Sequence, residues 1–155
     1  MALPSDDPSG RVVALDLGES YSGVAISDTG RSLATPLEVV PSKQLTEYLR
    51  MLLTEEGVTE VVVGVPKTLG GEIGFQAQRV LAVLSAFRDA FPAVRFVEWD
   101  ERLTTRLVRS SRSGPKAGFR SGGRLGRCKE RAKERVDHLA AAAILQEYLD
   151  RRETV

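Results

Sequence analysis

The sequence predicts an α/β fold: a five-stranded mixed sheet, antiparallel in its first three strands and parallel in the remainder, flanked by helices. Three observations predict it. Residues 11–40 hold three short apolar stretches separated by polar turns, the pattern of an antiparallel meander. Residues 59–65, TEVVVGV, are too uniformly apolar for a one-sided strand, which marks a parallel strand covered on both faces. Helical spacing precedes and follows that strand, giving the order strand, strand, strand, helix, strand, helix, strand, helix.

The first strand is Val12-Val13-Ala14-Leu15, and it ends on Asp16 where another aliphatic residue would be expected. A carboxylate drawn into low dielectric is costly unless it is paired, hydrogen-bonded or bound to a metal, so Asp16 needs a partner. An Asp-x-Gly sequence alone is equally the end of a strand capping a turn. Ser22–Ser27 returns as the second strand after Glu19-Ser20-Tyr21. The third, Leu33–Val40, is reached through Asp28-Thr29-Gly30, and Pro36 favours an edge position for it. Ser42 is placed to cap a helix with Leu45, Tyr48, Leu49, Leu52 and Leu53 at helical spacing, ending near Gly57. After the fourth strand, Pro66–Gly74 is a Gly-rich loop without Walker spacing, where Lys67 or backbone amides could meet a phosphate and a plain connection is as well supported. A second helix buries Phe75, Val80, Leu81, Val83, Leu84 and Phe87, and Val94–Trp99 is the fifth strand. The last helix spans roughly Arg127–Arg151, with Val136, Ala140, Ala143, Ile144 and Tyr148 as its stripe, widened by Leu139, Leu145 and Leu149. Together these elements describe the ribonuclease H-like architecture, in which the first strand is central and its Asp lies near the end of the fourth.

At 155 residues and 42% hydrophobic content the chain is expected to form one domain over residues 11–150, with a disordered tail at 1–10 and a short tail at 151–155. A single cysteine, Cys128, excludes an internal disulfide and an all-cysteine metal cluster, and fits a reducing compartment. No stretch approaches the roughly 20 apolar residues that a membrane span needs, and the first ten residues do not form a secretory signal. A cytoplasmic protein without a membrane partner is the expectation.

The net charge of +1 conceals an asymmetry. Between Arg102 and Arg135 there are twelve Lys/Arg against two Glu, a local charge of +10, which leaves −9 for the remainder. Within it, SSRSGPKAGFRSGGRLG at 110–126 has almost no apolar content and is expected to be a mobile basic loop, with Phe119 as its one aromatic. Arg102 and Arg109 lead into this loop, Arg112, Lys116, Arg120 and Arg124 lie in it, and Arg127 follows, a set suited to phosphate contacts that position a strand without reading its sequence. A solvated face or an insertion without a partner explains the same composition.

Acidic residues recur at two further places. Glu98, Asp100 and Glu101 close the fifth strand; alternation puts the first two on one face and Glu101 on the other, and parity does not choose among them. Asp137 borders the apolar stripe of the last helix, whose four alanines at 140–143 allow close approach to the sheet and to Asp16. His138, the only histidine, fits a surface or packing role.

On these residues the chain resembles the YqgF/RuvX family, ribonuclease H-like proteins classed as pre-16S rRNA nucleases and also described as Holliday junction resolvase-like. The resemblance runs from Arg11 to about Asp150, through ALDLG at 14–18, SGVA at 22–25, VGVP at 63–66, DERLTT at 100–105 and VDHLAAAAILQEYLD at 136–150. DERLTT with the late Asp-bearing helix is its specific part. The 110–126 loop departs from the family pattern, being longer and richer in Gly and Arg. The resemblance implies an acidic triad of Asp16, Glu101 and Asp137 holding two divalent ions, magnesium or manganese, which together serve phosphodiester hydrolysis. It implies RNA as substrate, at the 5′ end of precursor 16S rRNA, with a ribosomal precursor particle as a partner. The alternative is a resolvase of branched DNA, which must act as a two-fold dimer, so monomer and homodimer both stand open. A non-catalytic RNA-binding module accounts for the Arg-rich segment but not for three acids. An ATPase of the actin and sugar kinase type shares the Asp-x-Gly hairpin but needs two such domains.

Overall fold

The computed structural model describes residues 9–66, 74–100 and 139–152. Its elements are β1 (Arg11–Asp16), β2 (Tyr21–Ser27), β3 (Ala34–Pro41), a 3-10 turn (Ser42–Gln44), α1 (Leu45–Glu55), β4 (Val58–Val65), α2 (Phe75–Ala90) and β5 (Arg95–Asp100). A third helix, α3, comprises residues 139–152 as described. The expected N-terminal tail up to residue 8, the Gly-rich loop at 67–73, the basic loop and the start of the last helix lie outside the described residues.

The strands form one sheet in the order β3-β2-β1-β4-β5, with β1 at its centre. β1–β2 and β2–β3 are antiparallel, and β1–β4 and β4–β5 are parallel, as the meander and the apolar fourth strand predict. β3 is an edge strand, and Pro36 sits in it where a missing N–H costs least. Alternation then divides the core in two. Val13, Leu15, Val61 and Val63 face α1 and α2, where they meet Leu49, Leu52, Leu84 and Phe87. Val12, Ala14, Ala25 and Val62 face α3, packing on Ala141, Ile144, Leu145 and Leu149.

Three expectations are corrected. Ser42 makes no side-chain cap for a helix. Its hydroxyl donates to the Gly18 carbonyl at 3.0 Å and shares a 3.0 Å hydrogen bond with the Ser22 hydroxyl, so it is committed to the β1–β2 turn. Phe75 opens α2 but is 85% exposed; the buried side is Ala77, Val80, Leu84 and Phe87, onto which a first-turn residue at that angle does not project. In α3 the buried stripe is Ala141, Ile144, Leu145, Tyr148 and Leu149, while Leu139 is 54% exposed. Four consecutive alanines carry almost no amphipathic signal, so spacing alone placed the stripe a few tens of degrees from where packing puts it.

At the opposite end of β1 from Asp16, Glu60 of β4 is only 3% exposed. It accepts hydrogen bonds from the Tyr148 hydroxyl and from Arg152 Nη1 at 2.9 Å, and lies 3.4 Å from Arg31 Nη1. Arg31 adopts φ 55° in the β2–β3 turn, donates from Nε to the Gly10 carbonyl at 2.6 Å and from Nη2 to Thr59 Oγ1 at 2.9 Å. A buried charge is tolerated only when so partnered, and this one ties α3 to the centre of the sheet. Asp28 closes the same turn by accepting from the Leu33 and Ser32 amides at 2.9 and 2.8 Å, bonds that hold its carboxyl below the usual range.

Candidate active site

Asp16 is the last residue of β1, half-buried, and pairs with Gly23 across the hairpin. On the other side, β1 and β4 run parallel with Leu15 opposite Val63, so the next position on β4 is Gly64, which in turn pairs with Trp99 of β5. The row across the sheet at this level is Gly23, Asp16, Gly64, Trp99. Asp16 thus has a glycine on either side in its row, at the carboxyl end of the central strand, where ligands enter α/β sheets. Alternation puts Asp16 on the same face as Val12 and Ala14, the face that α3 covers. The turn beyond it is tightly closed: a Cβ on Gly18 would run into the Tyr21 carbonyl.

The structure puts both described acids at the end of β5 on one face of the sheet. Glu98 and Asp100 are level with Val63 and Val65 and share their face, toward α2, where Glu98 lies 3.5 Å from Arg88. Val97 and Trp99 belong to the α3 face with Asp16. The two described acids are thus on the wrong side of the sheet to meet Asp16. Glu101 and Asp137 lie outside the described residues, as do Lys67, Arg102, Arg109, Arg112, Lys116, Arg120, Arg124 and Arg127. Among the described residues no group of three acidic, histidine or cysteine side chains converges.

Sequence reasoning missed Trp99 as a neighbour of this site. Its ring stands edge-on to Tyr148 at 5.5 Å, with the Arg151 guanidinium 5.2 Å above it, and its indole Nε1 is buried without a hydrogen-bond partner among the described residues. The signal available was its alternation with Glu98. A carboxylate is a hard oxygen donor of the kind that divalent cations take, and in this row of described residues Asp16 supplies it.

A family model described as "RuvX: Holliday junction resolvase" matches residues 10–151. The chain belongs to the RuvX family. It is 60% identical over 92% of its length to a protein of Rubrobacter xylanophilus named "Putative pre-16S rRNA nuclease", of which the match covers 94%. A protein of the same name from Desulforudis audaxviator is 37% identical over 93% of this chain and 96% of the relative. Among solved structures, Thermus thermophilus RuvC in complex with a Holliday junction substrate superposes with a TM-score of 0.52 at 16% identity, covering 94% of this chain and 96% of that one. The yeast mitochondrial Holliday junction resolvase gives 0.53 at 12% identity over 95% and 79%. These two likenesses confirm the ribonuclease H-like fold for this RuvX chain. No helix among its described residues is long and apolar enough to cross a membrane.

Proposed function

We propose that this RuvX chain is a metal-dependent nuclease that hydrolyses phosphodiester bonds at the 5′ end of precursor 16S rRNA. The observation that carries the reading is Asp16, held half-buried at the end of the central strand with a glycine on either side. The names of the relatives support the substrate, and the +10 segment from Arg102 to Arg135 supplies charge for a phosphate backbone.

In this reading Asp16, Glu101 and Asp137 hold two magnesium or manganese ions. Glu101 is the acid that the family resemblance assigns, and the position of Glu98 and Asp100 on the opposite face is consistent with it. Bound divalent ions supply Lewis acidity and a water of lowered pKa, so no nucleophilic side chain is required. The chain's own contribution is to fix the carboxylates: Asp16 through the β1 ladder, and α3 through Glu60, Tyr148 and Arg152. Lys67, Arg102, Arg109, the loop residues Arg112, Lys116, Arg120 and Arg124, and Arg127 hold the strand by its phosphates.

The family description favours one second reading, cleavage of four-way DNA junctions by a homodimer. A single purified sample assayed on precursor 16S rRNA, single-stranded RNA and a four-way junction, each with and without manganese, separates them. Metal-dependent cutting of the precursor, with Asp16→Asn slowed at least about a hundred-fold, is the expected result. Preferential cutting of the junction transfers the function to DNA, and binding without cleavage of any substrate leaves only an RNA-binding module.

A further inference from the structure

On the sheet face opposite α3, a cavity of about 450 Å³ lies between α1 and α2. Its volume falls within the range of small-molecule sites, roughly 300–1,000 Å³. The walls are apolar: Leu17, Leu45, Val80, Val83 and Phe87. Polar groups that can hydrogen-bond or carry charge, Glu19, Thr46, Gln76 and Arg79, also line it. Such a site suits a planar heterocycle with apolar faces, polar edges and an anionic attachment, which is the chemistry of a nucleotide.

Two further features connect this cavity to the candidate active site. Leu17 and Gly18, the residues directly after Asp16, form part of its lining, so the cavity and the carboxylate sit on the two sides of one strand end, joined by the exposed turn at Gly18, Glu19 and Ser20. Arg79 reaches across to Glu19 of that turn at 3.4 Å, with both side chains partly or largely exposed. An exposed ion pair of this length contributes little, so an incoming phosphate can replace the carboxylate on the guanidinium.

We propose that this cavity is a nucleotide subsite: it takes an unpaired base of the same strand whose phosphate lies over Asp16, one or two nucleotides away, while Arg79 holds the phosphate next to that base. The inference rests on the nuclease reading for the course of the strand, and it gives that reading a substrate class, a single-stranded segment beside the cut. Arg79 and the cavity are then specificity determinants that touch the substrate away from the reacting phosphate. The hydroxyls of Ser22 and Ser42 are already engaged with each other, which leaves Thr46 and Gln76 to meet the edge of the base.

The test is binding, measured on the full wild-type chain in EDTA, so that cleavage plays no part. The probes are a short single-stranded RNA, the same RNA with one abasic position walked along it, and free adenosine monophosphate. Removing the base at one position is expected to weaken binding about ten-fold, in line with the loss of one well-held base. Val83→Phe, which fills the cavity from a half-buried position, should bind intact and abasic RNA alike, and Arg79→Ala, at a partly exposed position, should weaken both. Uniform affinity along the abasic walk overturns the proposal without any variant having to fold, and so does a Val83→Phe chain that keeps the base preference. Free nucleotide binding as tightly as the RNA would also overturn it, because the occupant would then not be the strand. A chain that cleaves nothing yet shows the base preference would defeat the nuclease reading and leave the subsite standing.

Discussion

Tyr148 shows how the chemistry of a single residue reports on the fold. Burial pushes its hydroxyl up to about 12, and the hydrogen bond to Glu60 and the negative charge of that carboxylate act in the same direction. A raised folded-state value means that the folded chain keeps a proton that the unfolded chain loses, so stability is intact below pH 10 and falls as the pH rises through about 12. Denaturant unfolding at stepped pH should show this decline in the wild type and a flatter profile in Tyr148→Phe. The variant should also be about 1 kcal/mol less stable at neutral pH, because Glu60 loses one donor while keeping Arg152. Equal slopes in the alkaline window would contradict the burial of this hydroxyl. Asp16 presents the complementary case: a half-buried carboxylate that ends the central strand between two residues without side chains, Gly23 and Gly64.

Among the elements, α3 depends most on a polar contact. Its apolar stripe rests on Val12, Ala14 and Val62, and Glu60 anchors its far end through Tyr148 and Arg152. Glu60→Ala should cost about 2–4 kcal/mol, toward the lower part of the range for broken buried pairs because Arg152 can turn to solvent. Glu60→Gln, which keeps a hydrogen-bond acceptor, should cost less in the same thermal or denaturant measurement. The sequence made β1 and β4 legible because an aliphatic run of that length, covered on both faces, has few other homes, and it made the β3 edge legible through Pro36. It made the Asp16 position legible because a carboxylate interrupts such a run. The Glu60 anchor was not legible: its partners stand 29 and 88 to 92 residues away, and a glutamate next to Thr59 looks like the polar start of a strand. Ser42 failed as a cap for the same reason, its hydroxyl being claimed by Gly18 and Ser22 across the hairpin.

For the whole molecule, charge is divided along the chain, with +10 between Arg102 and Arg135 and −9 elsewhere. If the basic segment meets phosphates, the logarithm of RNA affinity should fall linearly with the logarithm of salt concentration, and deleting residues 113–123 should flatten that line. An unchanged slope would put the binding surface elsewhere. The mixed sheet sets one carboxylate at the end of its central strand with a glycine on either side. The central claim, that Asp16 is there to hold a divalent cation, is tested most directly by calorimetric titration of manganese into the wild-type chain and into Asp16→Asn, with circular dichroism confirming that both are folded. The account predicts saturable binding by the wild type and an affinity at least about ten-fold weaker in Asp16→Asn; equal manganese affinity in two folded proteins would contradict it.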